Sequence, residues 1–82
     1  MTANSYTGTI NTQGEFETVA SLTGLTLTSG KTYTIQIQNI GYLKVADAVF
    51  CLKNEIATWT QSTDDLYLKT NGIAILTILE NA

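Results

Sequence analysis

The chain of 82 residues contains no histidine, no arginine and no proline, so all four of its basic residues are lysines. Imidazole is the base or ligand in Ser-His-Asp catalysis, in Cys-His catalysis and in histidine-bearing zinc sites, so those chemistries are excluded. Four lysines against seven carboxylates, without arginine, supply no basic field to neutralise a nucleic-acid backbone. We therefore expect no nucleic-acid partner.

Other catalytic signatures are also missing from the sequence. There is no Ser-x-x-Lys arrangement for a nucleophile, and the six glycines form no phosphate-binding Gly-x-Gly-x-x-Gly loop. We therefore expect a protein that is not an enzyme and that carries no cofactor and no metal.

The longest apolar stretch lies within Ile73 to Leu79 and is interrupted by Thr77, whereas a membrane helix requires about 20 residues. The first residues lack the basic start and apolar run of a secretory signal, so we expect assembly in the cytoplasm and no membrane contact. Cys51 is the only cysteine and has apolar neighbours, which predicts a buried and reduced side chain.

Length and β-branched content indicate a single all-β domain spanning residues 1–82. Fifteen threonines and eight isoleucines favour a pleated surface over a helix. Glycines that punctuate the chain, including Gly41, are typical of the turns of a small antiparallel sandwich or jelly-roll-like barrel of about seven strands. The predicted strands are Ser5 to Asn11, Glu15 to Leu22, Thr32 to Asn39, Leu43 to Leu52, Ile56 to Gln61, Leu66 to Thr70 and Ile73 to Leu79.

Two segments carry turn or helix signals in addition to strand signals. Asn71-Gly72 tolerates positive φ at both central turn positions, which predicts a tight hairpin between the last two strands. Val45 to Glu55 has apolar residues at helical spacing as well as strand-like composition, so we favour a strand there and keep a helical turn as the alternative.

The last predicted strand is apolar on both faces. Ile73, Ile75 and Leu79 share one face, and Leu76 and Ile78 lie on the other. Small domains often gain stability by associating, so this strand predicts an oligomer contact. The alternative is a central strand covered by a loop or a short helix.

Adjacent carboxylates offer two candidate acid/base pairs. Glu15 and Glu17 fall on one face of a predicted strand and are typical of a solvated edge. Asp64 and Asp65 follow Ser62 and Thr63, a composition typical of a turn, with a weak calcium site or a polar contact as the alternative.

Trp59, flanked by two threonines, is the strongest indication of a binding module. Together with tyrosines it would form a platform on which sugar rings stack. The alternative is that this aromatic side chain fills the core or a subunit contact. The platform residues are Trp59, Tyr6, Tyr33, Tyr42 and Tyr67.

Three segments resemble small structural proteins of tailed bacteriophages. They run from Leu22 to Gly41, from Asp65 to Thr70 and from Ile73 to Glu80. The first carries the "Gly, short gap, Tyr, x, Ile-Gln-Asn, x, Gly" pattern that enters the sheet in that group, and the second is its "Leu-Tyr-Leu-Lys" strand. The chain departs from the group by lacking a proline after the central strand, where Val45 to Phe50 stands.

The resemblance implies a virion component: a head decoration or head-fibre protein, or a small neck or tail element. It also implies self-association, with a trimer favoured, binding to the major capsid or another virion protein, and no catalytic residues. Two alternatives stay open, a carbohydrate- or receptor-binding module and a small regulatory protein that binds a host partner through a sheet edge. The expected oligomer interface contains Ile73, Ile75, Leu76, Ile78, Leu79, Trp59 and Tyr67.

Overall fold

The computed structural model describes residues 4–81, which form six strands and one short helix. The elements are β1 (Ser5–Ile10), β2 (Glu17–Thr18), α1 (Val19–Thr23), β3 (Thr32–Val45), β4 (Ala48–Thr60), β5 (Leu66–Lys69) and β6 (Ala74–Glu80). All strand pairs are antiparallel. The all-β class expected from the sequence is confirmed, with six strands in place of about seven.

The long strand β3 organises the sheet. One of its edges pairs with β4 along the whole length of the hairpin. Its other edge is shared, because the first half of β3 pairs with β6 and the second half pairs with β5. β1 then extends the sheet beyond β6, and β2 extends it beyond β5. The result is a curled sheet whose two halves are joined through the β3–β4 hairpin.

A bulge in the hairpin separates the two halves. The register shifts between Ile37 and Ile40, so Gln38 and Asn39 lie opposite Asn54 alone. Asn39 and Asn54 both have positive φ, 77° and 49°, which asparagine tolerates better than most residues. The Asn39 backbone N–H donates to Oδ1 of Asn54 at 2.8 Å, which fixes the two strands to each other at this point.

Gly41 lies inside β3 and not in a turn as the sequence predicted. A Cβ at this position would lie 2.5 Å from Cδ1 of Ile37 and 3.3 Å from Cδ1 of Leu68. Glycine is therefore needed here for close packing immediately after the bulge.

Several predicted strand boundaries are wrong. Glu15 to Leu22 contains only the two residues of β2 and then α1, which Thr18 caps by accepting from the Ser21 N–H at 3.3 Å. Leu43 to Leu52 crosses the turn between β3 and β4, where Ala46 has φ 52°. From Val45 to Glu55 the predicted strand conformation is confirmed and the helical alternative is wrong, except that residues 46 and 47 form the turn.

The predicted hairpin at Asn71-Gly72 is also wrong, because β5 and β6 do not pair with each other. Gly72 has φ 151°, and Asn71 is not among the residues with positive φ, so the dipeptide does not form the expected two-residue turn. Both strands pair with β3 instead, since its edge is long enough to hold them end to end.

The core lies on the inner face of the curl. Tyr33 is fully buried, and its hydroxyl accepts from the Thr28 N–H at 2.8 Å and donates to Oε1 of Glu80 at 3.1 Å. These bonds hold the loop before β3 over one end of the core, where Leu25 and Leu27 pack against it. The buried apolar residues are Ile10, Val19, Tyr33, Ile35, Ile37, Leu43, Leu52, Leu66, Leu68, Ala74, Leu76 and Ile78.

Thr12 and Thr70 connect the two loops at the other end of the core. Both are buried. Oγ1 of Thr12 donates to the Thr70 carbonyl at 3.1 Å and accepts from the Thr70 N–H at 2.8 Å, while the Thr12 N–H donates to Oγ1 of Thr70 at 3.0 Å. The single helix among residues 4–81, α1, lacks the length and apolar content needed to cross a membrane.

We predict that Thr12→Val lowers the free energy of unfolding by about 1–3 kcal/mol, because the Thr70 N–H and carbonyl lose a buried partner at nearly constant side-chain volume. Denaturant unfolding measures this change. Thr9→Val is the matched control, since Thr9 is exposed on β1, and it should change the stability by less than about 0.5 kcal/mol. Equal stabilities of the two variants would contradict the role given to this pair.

Candidate functional site

The outer face of β6, opposite its core face, is the first candidate contact surface. Ile75 and Leu79 are 39% and 48% exposed, and Ile73, just before the strand, is 60% exposed. Leu76 and Ile78 point the other way and are fully buried, so the sequence assigned them wrongly to an accessible contact. β6 is a central strand between β1 and β3, but its outer face stays exposed among the described residues. We call Ile73, Ile75 and Leu79 the β6 face.

Trp59 lies on the inner face of β4, away from the β6 face. Its ring stacks on Tyr33 with centroids 5.6 Å apart and an angle of 28° between the rings. Its indole N–H donates to Oε1 of Gln61 at 3.0 Å. One side of Trp59 is therefore occupied, and Tyr33 is too deeply buried to contribute to a sugar platform.

Tyr67 lies on a third surface, the outer face of the second half of the sheet. It is half-buried, and it pairs with Lys44 of β3 on one side and with Thr18 of β2 on the other. The seven residues expected at one interface are therefore distributed over the core, the β6 face, the inner face of β4 and this outer face.

Lysines and aromatic rings lie close together around Tyr67, although the chain as a whole is acidic. We call this group of side chains the lysine–aromatic cluster. Nζ of Lys69 lies 5.0 Å from the centre of the Phe16 ring and 4.9 Å from that of Tyr42. Nζ of Lys44 lies 5.6 Å from the same Phe16 ring. Such cation–π contacts contribute about 0.5–1 kcal/mol each at exposed sites, so they order the lysine side chains on this face.

A cleft of about 300 Å³, which we call the asparagine cleft, opens beside the bulge. Asn39 is held there by a bond from its Nδ2 to the Ile73 carbonyl at 2.9 Å, and Asn54 by the bond that its Oδ1 accepts. Amide groups, a lysine and an aromatic ring together can bind hydroxyl groups and the apolar face of a small polar ligand. The lining residues are Asn39, Ile40, Tyr42, Lys53, Asn54, Asn71, Gly72 and Ile73.

The inner face of β4 lines a second, apolar cavity of about 210 Å³. Phe50 and Leu52 of the first half of β4 and Ala57 and Trp59 of the second half lie around it, with Leu43, Val45, Thr58 and Leu66 completing the lining. Phe50 is 56% exposed although it pairs with the buried Leu43. The curl is therefore open on the β4 side.

The edge of β4 explains this opening. Among residues 4–81, β4 pairs only with β3, so its second edge is free along 13 residues. Free edges are uncommon at this length, because they expose a row of unpaired backbone N–H and carbonyl groups. We call the free edge of Ala48–Thr60 the β4 edge.

Cys51 is exposed in the first half of β4, so the predicted burial of this thiol is wrong. The strand alternates, and Cys51 pairs with Tyr42 on the outer face while Phe50 and Leu52 point inwards. The apolar neighbours that suggested burial belong to the opposite face.

The acidic pairs lie at the surface. Only Glu17 belongs to a strand, since Glu15 lies in the turn before it and its N–H donates to the Thr12 carbonyl at 3.2 Å. The Asp64 N–H donates to Oγ of Ser62 at 3.2 Å, and the Asp64 carbonyl accepts from Nε2 of Gln61 at 2.9 Å. The turn expected at Asp64 and Asp65 matches these bonds. In the described part of the chain, no three His, Cys, Asp or Glu side chains come together to hold a metal ion.

Known proteins provide a comparison for the fold. A de novo designed double-stranded β-helix, solved by solution NMR, has a similar structure, with a TM-score of 0.69 and 15% sequence identity. The alignment covers 95% of this chain and 99% of the designed chain. No protein-family model and no curated protein matches the sequence. The likeness therefore concerns the fold alone.

The sequence did not reveal the β4 edge, the asparagine cleft or the lysine–aromatic cluster. The alternation of Phe50 and Leu52 with Cys51 and Lys53 indicated a strand here, with one apolar face. The edge was hidden because the turn before β4 contains Ala46 and Asp47 instead of glycine or proline. The cleft and the cluster join residues from distant strands, so only the pairing of the strands brings them together.

Proposed function

We propose that the protein is a non-enzymatic structural component of a bacteriophage particle, which associates with copies of itself and binds a protein shell. The observation that supports this best is that apolar side chains are exposed on two separate parts of the sheet, the β6 face and β4, where Val49, Phe50 and Ile56 are each more than half exposed. A subunit in a particle needs one surface for another copy and a second for the shell. Such patches on a small chain are typical of contact surfaces.

The charge distribution is consistent with this role. The chain has a net charge of −3, but the β6 face carries no charged residue, and the neighbouring outward positions on β1 and β3 are threonines, serine and glutamines. Uncharged surfaces are desolvated at low cost when two proteins meet. We propose the β6 face, formed by Ile73, Ile75 and Leu79, as the surface that binds the shell.

We predict that tailed-phage particles purified on a density gradient from the source culture contain this chain in a fixed ratio to the major shell protein, as measured by quantitative mass spectrometry. In particles assembled with Ile75→Asp and Leu79→Asp together, the ratio should fall at least about tenfold, since a loss of about 1.4 kcal/mol in binding already has that effect.

Ala20→Asp is the control, because Ala20 is exposed on α1, outside the β6 face, and the substitution adds the same charged group there. It should keep most of the bound copies. A chain that is expressed but absent from purified particles would overturn the proposal. If all variants reduce the ratio equally, the β6 face is not the surface that binds the shell.

The asparagine cleft favours a second candidate function, a carbohydrate-binding module. Asn39, Asn54 and Asn71 present amide groups around about 300 Å³, with Tyr42 as a ring and Lys53 as a charged donor. This is the kind of donor and acceptor set that recognises sugar hydroxyls. The site lies away from Trp59, which the sequence had suggested as the platform.

We predict for this second candidate that binding on a glycan array is lost with Asn71→Ala or Lys53→Ala and kept with Gln36→Ala. Asn71 and Lys53 are exposed cleft residues, whereas Gln36 is an exposed residue of β3 outside the cleft. Absence of any glycan binding by the unchanged protein would discard the carbohydrate hypothesis.

A further inference from the structure

We propose that two copies of the chain pair through their β4 edges in one specific antiparallel register, which closes the apolar cavity of each copy. This proposal rests on the self-association in the proposed function and deepens it. It names the partner of the β4 edge as a second copy and predicts a two-fold dimer in place of the trimer implied by the resemblance.

The first argument concerns the bend of β4. The bulge at Asn54 shifts the alternation, so the inward residues are Phe50 and Leu52 before it and Ala57 and Trp59 after it. When two antiparallel strands pair in one sheet, directly opposite residues point to the same side. The first half of β4 in one copy therefore has to meet the second half in the other copy, with even-numbered residues opposite odd-numbered ones.

The second argument selects one register among those that remain. One choice places Phe50 opposite Trp59 of the second copy and Leu52 opposite Ala57 of the second copy. The two-fold axis then passes between Asn54 and Glu55, so both strands bend at the same place. The ladder of backbone bonds is interrupted at this bend and continues between the two copies on either side of it.

The neighbouring registers are poorer. Sliding by two residues one way puts the Glu55 carboxylate opposite Leu52 on the inner face. Sliding the other way puts Phe50 opposite Gln61, beyond the end of the strand. Stacking of aromatic rings such as Phe50 and Trp59 adds to what burial of their area contributes, and the two-fold axis provides this pair twice.

The third argument concerns charge and packing. β4 carries one lysine, Lys53, and one glutamate, Glu55, so the edge has no net charge although each chain carries −3. The edge as a whole therefore adds no net charge repulsion between the copies, although the two Glu55 side chains lie near the two-fold axis. Phe50 is 56% exposed beside a cavity of about 210 Å³, and in the chosen register the second copy covers this opening with its own Trp59.

Cys51 provides a direct test, because in this register it lies opposite Thr58 of the second copy. Directly opposed residues of antiparallel strands have Cα atoms about 4.5–5.5 Å apart, within the range that a disulfide spans. Within one chain, Cys51 and Thr58 are seven residues apart along the strand, about 20 Å, and cannot be linked.

Thr58→Cys, with the native Cys51 retained, should therefore form a covalent dimer of twice 8.9 kDa under mild oxidation on a non-reducing gel. Ile56→Cys and Thr60→Cys are the matched controls, because both positions are exposed on the same outer face of β4, two residues to either side. They should cross-link at least about tenfold more slowly, since diagonal neighbours lie about 7–8 Å away.

A second measurement avoids thiol chemistry. Phe50→Asp should convert the dimer seen by light scattering into a monomer, while Ile73→Asp, at a residue with similar exposure outside β4, should keep the dimer. Both residues are exposed, so both variants should fold.

Equal cross-linking of the three cysteine variants, or a dimer that survives Phe50→Asp, would overturn the register. A monomeric unchanged protein at the highest concentration studied would overturn the pairing itself. If the chain is present in phage particles but does not cross-link through Thr58→Cys, only the β4 pairing fails. If it cross-links but is absent from particles, only the phage function fails.

Discussion

The structure depends on the bend of the β3–β4 hairpin. Two asparagines with positive φ, joined by the bond from the Asn39 N–H to Asn54, and the close packing at Gly41 divide one long hairpin into two halves. The first half of β3 then recruits β6 and β1, and the second half recruits β5 and β2. This bend thus allows one sheet to enclose a core between its two halves.

The same bend creates the two candidate surfaces. It forms the cleft on the outer side, where Asn39 and Asn54 are exposed, and the apolar cavity on the inner side, where the two halves of β4 face each other. Since no described strand pairs with the second edge of β4, the curl stays open there. The proposed dimer closes it by supplying the missing strand, and the β6 face remains available for a different partner.

The parts of the fold that depend on local patterning could be predicted from the sequence. Alternation from Thr32 to Asn39 placed Ile35 and Ile37 on the buried face, and the composition indicated the all-β class. Three features could not be predicted. The bulge and the turn at Ala46 use positive φ without glycine, and Asn71-Gly72 follows a strand whose best partner is β3, which is distant in sequence.

The exposure of the predicted contact residues also could not be predicted from the sequence alone. The sequence showed that β6 is apolar on both faces, but only the pairing with β1 and β3 decides that Leu76 and Ile78 face the core while Ile75 and Leu79 stay exposed. Trp59 was recognised as important, yet its partner Tyr33 and its place beside the open cavity follow from the register of the hairpin.

The most direct test of the account is amide hydrogen exchange along β4, measured residue by residue by NMR at low and high protein concentration. In an antiparallel hairpin every second amide of β4 bonds to β3 and the others point to the free edge. The account predicts alternating slow and fast exchange in dilute solution and protection of the fast amides as the concentration rises. Uniform protection of β4 in a monomer, or alternation that concentration does not change, would contradict it.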